Sequence, residues 1–468
     1  MPLRNIVIIA VAMVISLTCF SAVSKNRYAN LYAEAMEIVE REALLEFDKR
    51  QLFEASMKGM LSDFDRNSSF LTREIYQAIE EDLRQEFGGV GMYVDVDPRT
   101  NELIVLAPMP GSPAAKAGLL PGDVIVEIAG KKIDGDKRMD AIQMMRGPKG
   151  EDVSIRIVRD GEERKVTITR DVIPVESVHG DWRDPDGTWH FELQEHPRIG
   201  YFRILEFGDK TVDEFLAALD TNAKKIDSLI IDLRNNSGGL LDAAVGVCDA
   251  LLPAGEVVVE TRGRDQKRDV DSRYSTNAPV VPENVKVVVL INRNSASASE
   301  IVSACLQDYG RATVIGERSF GKGTVQNVIP LEPNISAIKL TTASYWRPSG
   351  KNIDRSSSEQ NPEYKDTWGV SPNDGFALEM TEEEIFNDYR RRHLRDLKGI
   401  HDASGYVAVV DTMTDNDATS TNEEGDNEPG PDSETSDSKS DQSTLVPDID
   451  RPLAAAVDFL VNGEKASE

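Results

Sequence analysis

Between residues 199 and 372 the chain alternates short apolar runs with stretches of helical period. The runs 199–204, 229–233, 257–261, 285–291 and 338–345 are apolar and rich in β-branched residues, as buried strands are. The stretches 211–222, 240–251 and 300–308 carry the helical pattern between them. Strands alternating with helices predict an α/β core over 199–375. Upstream, 27–86 is helical by period. Leu31, Ala35, Ile38, Leu45, Leu52, Phe53 and Met60 mark one face, and Ile75, Ile79 and Leu83 follow the loop 63–69, with a helix start at Thr72-Arg73-Glu74. This region reads as a packing or dimerisation arm. Residues 87–171 read as a separate small domain: a glycine-rich loop into a strand, strands at 103–106 and 122–128, and a short capped helix at 112–119. A linker of strand character, 172–198, turns at Asp184-Pro185-Asp186-Gly187.

The last hundred residues change character. Residues 376–400 form a charged helix, with Arg390-Arg391-Arg392 as a solvated face. Residues 401–450 are acidic, Ser/Thr-rich and poor in apolar residues, which predicts disorder. Residues 451–468 hold a short amphipathic helix, fit to dock back or to bind a partner.

Length, 468 residues, allows two or three domains and an ample core. The formal net charge of −28 argues against nucleic acid as a partner. Part of it belongs to the tail, where 411–450 carries 13 Asp and Glu against one Lys. Residues 1–26 contain an uncharged apolar run of 18 residues, 6–23, preceded by Arg4 and followed by Lys25 and Arg27. That is a signal peptide or a signal anchor, and either sends the body out of the cytoplasm, to the periplasm or cell envelope, with a membrane anchor through 6–23 in the second case. Cys19 falls in this leader. Cys248 and Cys305 fall in apolar helical patterns and read as buried thiols, and no metal-ligand spacing occurs.

Candidate chemistry gathers after the run 285–291. Ser297 stands at a strand-to-helix turn, where a helix N-terminus offers unpaired N–H groups to developing negative charge. Ser297 with Glu300 also fits a capping box, in which the serine only caps the helix. The five histidines, His179, His190, His196, His393 and His401, all lie outside 197–392, so a Ser-His-Asp triad built wholly from that segment is excluded. A serine nucleophile there needs another base, and lysine is the known substitute. Lysine serves only where desolvation brings its pKa towards neutrality. Lys322 follows Ser297 by 25 residues, between Gly321 and Gly323 and beside Phe320 and Val325, where close packing would exclude water. Read alone, it equally fits a solvated surface lysine.

Taken as a pair, Asn294-Ser295-Ala296-Ser297-Ala298-Ser299-Glu300 and Phe320-Gly321-Lys322-Gly323-Thr324-Val325-Gln326 resemble the motifs of the carboxyl-terminal processing, or tail-specific, proteases. The resemblance runs in order over about 31–373. It implies a Ser/Lys dyad with Ser297 as nucleophile, Lys322 as general base and Gln326 orienting the lysine. Residues 322 and 326 can meet on a helix or on one face of a strand. Asp232-Leu233-Arg234-Asn235-Asn236-Ser237-Gly238-Gly239 resembles the family's second conserved turn, with Ser237 where proline is common. Read from the residues alone, this turn is equally a helix cap with glycines. The resemblance implies an oxyanion hole from the N–H groups of Gly238 and Ala298, with Gly239 as the alternate glycine.

Residues 87–171 resemble a PDZ domain inserted before the core. Gly88-Gly89-Val90-Gly91-Met92-Tyr93 stands where family members carry the carboxylate-binding loop, and Arg146-Gly147-Pro148-Lys149-Gly150 resembles the motif closing the PDZ helix. Gly89, Val90, Gly91 and Met92 are then the candidate substrate-binding residues, holding a peptide carboxylate on backbone N–H groups while the peptide adds a strand. The implied protein is an exported serine endopeptidase acting near the C-terminus of protein or peptide substrates, without a cofactor, and a possible homo-oligomer. Two rivals are a non-catalytic PDZ adaptor and a small-ester acyl hydrolase. Intact Ser297 and Lys322 speak against the first, and the peptide-binding domain against the second.

Overall fold

The structure, a computed structural model, describes residues 13, 27–97, 100–133, 138–184, 186–222, 225–356, 367–398 and 449–463. The leader 1–26, apart from Met13, and the acidic tail 401–448 lie outside the described residues. Among those described, no helix is long and apolar enough to cross a membrane. The chain divides into two compact units, Met1–Arg73 with Val328–Leu340, and Glu74–Asn327 with Thr341–Glu468.

The smaller unit holds the helices Arg27–Glu42 and Lys49–Ser62 and the strand Ser69–Leu71. Asp48 caps the second helix, its side chain accepting from the backbone N–H of Arg50 at 2.6 Å. Ser69, Phe70 and Leu71 pair antiparallel with Lys339, Ile338 and Ala337. Phe53 meets Phe70 edge to face at 5.8 Å, and Arg50 pairs with Glu54 and Glu332. The apolar face expected along 31–45 is not packed: the first helix buries no residue, and Leu31, Ile38 and Leu45 are exposed.

In the larger unit, a five-stranded sheet runs in the order 178–179, 199–204, 228–232, 286–291, 312–316. The last four strands are parallel, and the two-residue Val178–His179 closes one edge antiparallel to Ile204 and Arg203. The middles of the strands are apolar on both sides because both faces are covered, with polar residues such as Arg203, Ser228, Asp232 and Lys286 near their ends. Leu229, Ile231, Val287, Val289 and Ile291 join the cluster formed with the helices Thr211–Asn222, Leu241–Asp249 and Ala298–Asp308. Their neighbours Ile230, Val288 and Leu290 face the other way, onto Phe376, Leu378, Ala456 and Leu460. The terminal helix, Arg451–Asn462, thus docks back on the core and closes the second face. Cys248 and Cys305 are buried free thiols in the helical layer.

A second antiparallel sheet spans 92–169 in the order 92–97, 102–108, 124–128, 152–159, 162–169, with the helices Pro113–Lys116 and Arg138–Met145. It has its own core, including Val90, Leu103, Val105, Ile125, Ile128, Met145, Ile155 and Ile157. Met92–Asp97 is its edge strand. Glu86–Gly89 pairs antiparallel with Asp171–Pro174, so the chain enters and leaves this domain side by side. The segment 172–198 supplies part of that pair, the edge strand Val178–His179, and a hairpin of Trp182–Arg183 with Trp189–His190 turned at Asp184, where the N–H of Gly187 donates to the Asp184 carbonyl.

The helix Glu382–Lys398 corrects one expectation. Arg392 does not belong to a solvated face: it is buried over the Tyr201 ring at 4.6 Å, donates to Asp181 at 3.0 Å and lies 3.7 Å from Asp450. Asp388, Arg392 and Asp396 recur at helical spacing, so one face of this charged helix meets the core charges Arg203 and Arg234. Burial, with the neighbouring Asp450, pushes the Asp388 carboxyl up to about 6. Its folded pKa then exceeds the unfolded value of about 3.9, so the cost of its charge grows as pH rises through that window. Asp388→Asn is expected to raise the thermal unfolding midpoint at pH 8 and to leave it nearly unchanged at pH 4. Equal gains at both pH values, measured by calorimetry, would contradict this.

Candidate active site

The apolar strand Lys286–Ile291 ends at Asn292, and the helix Ala298–Asp308 begins six residues later, which puts Ser297 in the last position of the turn. Its backbone sits at φ 55° and ψ −113°. A residue with a Cβ rarely adopts positive φ, and such positions cost on the order of 1–3 kcal/mol unless surroundings over-determine them. The surroundings here do so through asparagines. Asn292 accepts from the backbone N–H groups of Asn235 and Asn294 and donates to the Asn235 side chain at 2.9 Å. Ser295 Oγ donates to the Leu233 carbonyl at 2.8 Å. The Asn236 carbonyl accepts from Ala296 N–H and from Ser299 Oγ, both at 3.0 Å. The turn after strand Ser228–Asp232 and the turn carrying Ser297 are therefore stitched together.

Glu300 ties the third segment in. It is fully buried, and its Oε2 accepts from the backbone N–H groups of Ser297 at 2.8 Å and Lys322 at 2.9 Å. Its Oε1 accepts from Gly321 N–H at 2.7 Å and from Ser319 Oγ at 2.5 Å. Burial pushes this carboxyl up from its ordinary value, while the four donors pull the other way. One carboxylate oxygen thus spans the backbone of Ser297 and of Lys322.

Lys322 is half-buried, just before the strand Thr324–Glu332, in extended rather than helical chain. Gly323 must be glycine, since a Cβ there would lie 2.1 Å from the Asp354 backbone nitrogen. The packing expected from Phe320 does not occur, for that side chain is 55% exposed. Trp368 fills the place beside the loop instead. A Cβ on Gly321 would come within 2.7 Å of its ring, and the guanidinium groups of Arg318 and Arg355 each lie 4.8 Å from its centre. Gln326 donates through Nε2 to the hydroxyls of Thr324 at 2.8 Å and Thr341 at 3.3 Å.

Gly238 lies against the nucleophile turn. It has φ 108°, and a Cβ on it would fall 2.7 Å from Ser297 Cβ and 3.0 Å from Ala298 N. Its N–H donates to its own loop, to Asn236 Oδ1 at 2.8 Å. Among the described residues the N–H groups of Gly239 and Ala298 have no acceptor. In the 92–169 domain, Gly91 has φ 73°, and the carbonyls of Gly88, Val90 and Gly91 are taken by the N–H groups of Gly147, Ala114 and Met109. The N–H groups of Val90 and Gly91 have no acceptor among the described residues, and Met92 opens the edge strand.

Two residues at the site escaped the sequence reading in part or whole. Glu300 was visible only as a capping partner of Ser297. Tyr345 was visible only as a strand residue: it is 5% exposed, and its backbone N–H donates to the Gly323 carbonyl at 2.7 Å. Burial pushes its phenol up to about 12.

Residues 198–364 match the model of peptidase family S41, and residues 104–159 match a PDZ domain. A carboxy-terminal-processing protease of Bartonella bacilliformis is 39% identical over 70% of this chain and 74% of its own length. The carboxy-terminal processing protease CtpB of Bacillus subtilis is 30% identical over 75% of this chain and 72% of its own. Among solved structures, a photosystem II D1 C-terminal processing protease is similar, with 25% identity, a TM-score of 0.42, and coverage of 80% of this chain and 96% of that one. With 39% and 30% identity to two carboxy-terminal processing proteases over most of their length, an S41 match across the α/β core and a PDZ match ahead of it, the chain belongs to peptidase family S41 and is a serine-type peptidase of the carboxy-terminal processing group.

Proposed function

We propose that this peptidase is exported, reads the free C-terminus of protein substrates through its PDZ domain, and cleaves near that end with a Ser297/Lys322 dyad. The observation that carries the dyad is the Glu300 oxygen shared by the backbone N–H groups of Ser297 and Lys322. It fastens two segments with no histidine between them to one point. Ser297 Oγ attacks the peptide carbonyl. Lys322, neutral when it acts, takes the hydroxyl proton and returns it to the leaving amine, and water then releases the acyl group. Gln326, with Nε2 committed to Thr324 and Thr341, keeps Oε1 as an acceptor for the lysine. Ala298 N–H and a glycine N–H hold the oxyanion; with Gly238 donating to Asn236, Gly239 is the glycine whose donor is open in this state. Loss of one such donor costs about 3 kcal/mol of transition-state stabilisation. Export rests on the apolar run 6–23 with its basic flanks, as a cleaved signal or an anchor.

Tail reading rests on the open N–H groups of Val90 and Gly91 beside the edge strand Met92–Asp97. An added peptide strand pairs through main chain, so apolar, flexible tails are favoured over one strict sequence. One peptide is to be offered with a free and with an amidated C-terminus. The free form is expected to be cleaved at least about tenfold faster at limiting concentration, the equivalent of roughly 1.4 kcal/mol of carboxylate recognition. Equal rates on the two forms would remove the carboxylate-reading role.

A further inference from the structure

The C-terminal helix does more than cover the sheet. Asp450, its N-cap, accepts from Leu453 N–H at 3.0 Å through Oδ1. The same carboxylate grips the guanidinium of Arg234: Nη1 reaches Oδ1 at 2.7 Å and Nη2 reaches Oδ2 at 3.0 Å. Arg234 is buried and held on its other side by Asp232, from Nη2 at 2.7 Å and from Nε at 3.0 Å. Asp232 is also the acceptor of the Tyr201 hydroxyl at 2.6 Å. Asp388 lies 3.4 Å from Nη1, and Arg392 lies 3.7 Å from Asp450. The carboxylate that caps the helix therefore also holds one side of Arg234, opposite Asp232.

Arg234 immediately precedes the residues that brace the nucleophile. Asn235 is bonded to Asn292 and Asn294, Asn236 to Ala296 and Ser299, and Gly238 packs on Ser297. We propose that Asp450 is a positioning residue for peptide-bond cleavage: by clamping Arg234 it fixes the loop 234–239 against the turn that carries Ser297. The inference rests on Ser297 being the nucleophile. Removing the Asp450 charge leaves two buried guanidinium groups, Arg234 and Arg392, one carboxylate short, so Arg234 re-seats towards Asp388 and draws its loop with it. Displacements of about 1 Å in such supports cost on the order of a hundredfold in rate.

Asparagine separates the two roles of Asp450, because it caps helices about as well as aspartate but cannot neutralise the arginine. Full-length Asp450→Asn is to be compared with the unmodified chain. The readouts are kcat and KM on a peptide, the rate at which a small fluorophosphonate labels the serine, and thermal unfolding. The expected result is a fall in kcat and in labelling rate of about tenfold or more, with KM within about twofold and one cooperative unfolding transition retained. Unchanged kcat and labelling, or a loss confined to KM, would overturn the proposal. If Asp450→Asn does not fold, Arg234→Lys, which keeps the charge and loses the two-pronged grip, must show the same split, and unmodified kcat in it is equally fatal. Failure of the unmodified enzyme to be labelled at Ser297 would count against the dyad itself and not against the clamp.

Discussion

Replacing Ser297 with alanine is expected to lower peptide cleavage by about a thousandfold or more while the chain stays folded. The hydroxyl is the only group of Ser297 that the substitution removes, and the bonds that set its turn run through backbone and through neighbours: Ser297 N–H to Glu300, Ala296 N–H to Asn236. The φ of 55° is the same burden for alanine as for serine, so the unfolding midpoint should move little. Lys322→Ala should lose activity to a comparable extent, because residues that act as one unit are grossly non-additive and either loss disables the unit. Lys322→Arg should be equally inactive, since a guanidinium stays protonated and cannot accept the serine's proton. Cleavage of a reporter peptide followed by chromatography, with circular dichroism as the folding control, checks all three. Substantial turnover in any of them would remove the dyad.

Glu300→Gln is expected to damage both stability and rate. Each oxygen of Glu300 faces two donors: Ser297 and Lys322 N–H on one, Gly321 N–H and the Ser319 hydroxyl on the other. An amide offers one oxygen and one NH₂, so in either orientation the nitrogen meets an N–H it cannot accept. The Ser319 hydroxyl can rotate to compensate, but the backbone N–H of Gly321 cannot. Leaving one or two buried donors unpaired costs roughly 2–4 kcal/mol of stability. The same change unfastens the lysine loop from the serine turn, for which a loss of about a hundredfold in kcat is expected. Urea unfolding and peptide kinetics measure the two effects separately. A fully active, fully stable Glu300→Gln would mean that other contacts suffice to hold Lys322 in place.

How much of this was readable beforehand follows from where each signal resides. The parallel strands were legible because their residues are apolar on both faces, as Ile230 and Ile231 illustrate by packing on opposite layers. The strands Thr324–Glu332 and Val270–Tyr274 were not, because polar residues such as Gln326, Asn327, Asp271 and Ser272 interrupt their apolar runs and none of their positions is fully buried. Ser297 and Lys322 were legible through paired motifs that resemble a known family, and Glu300 only as a local cap. Its bonds to Gly321 and Lys322 depend on the lysine loop returning to the helix. Arg392 looked like surface charge because its acceptor, Asp181, is 211 residues away. Asp450 was read as the end of an acidic tail, and its partner Arg234 is 216 residues earlier. Charge patterns along a chain give sign and density; they do not give the pairing that tertiary packing creates.

The last helix has a further consequence for the order in which the molecule can be completed. Ala456 and Leu460 lie against Tyr201, Ile230, Val288 and Leu290, residues made some two hundred positions earlier. A ribosome delivers the chain N-terminus first, so the serine, the lysine and most of the sheet emerge while one apolar face still lacks its cover. That face is closed only when residues 451–462 arrive, after the whole acidic stretch 411–450 has been synthesised. Completion of the core therefore waits on the helix Arg451–Asn462, and a nascent chain that stops short of it lacks the cover for the second face of the sheet.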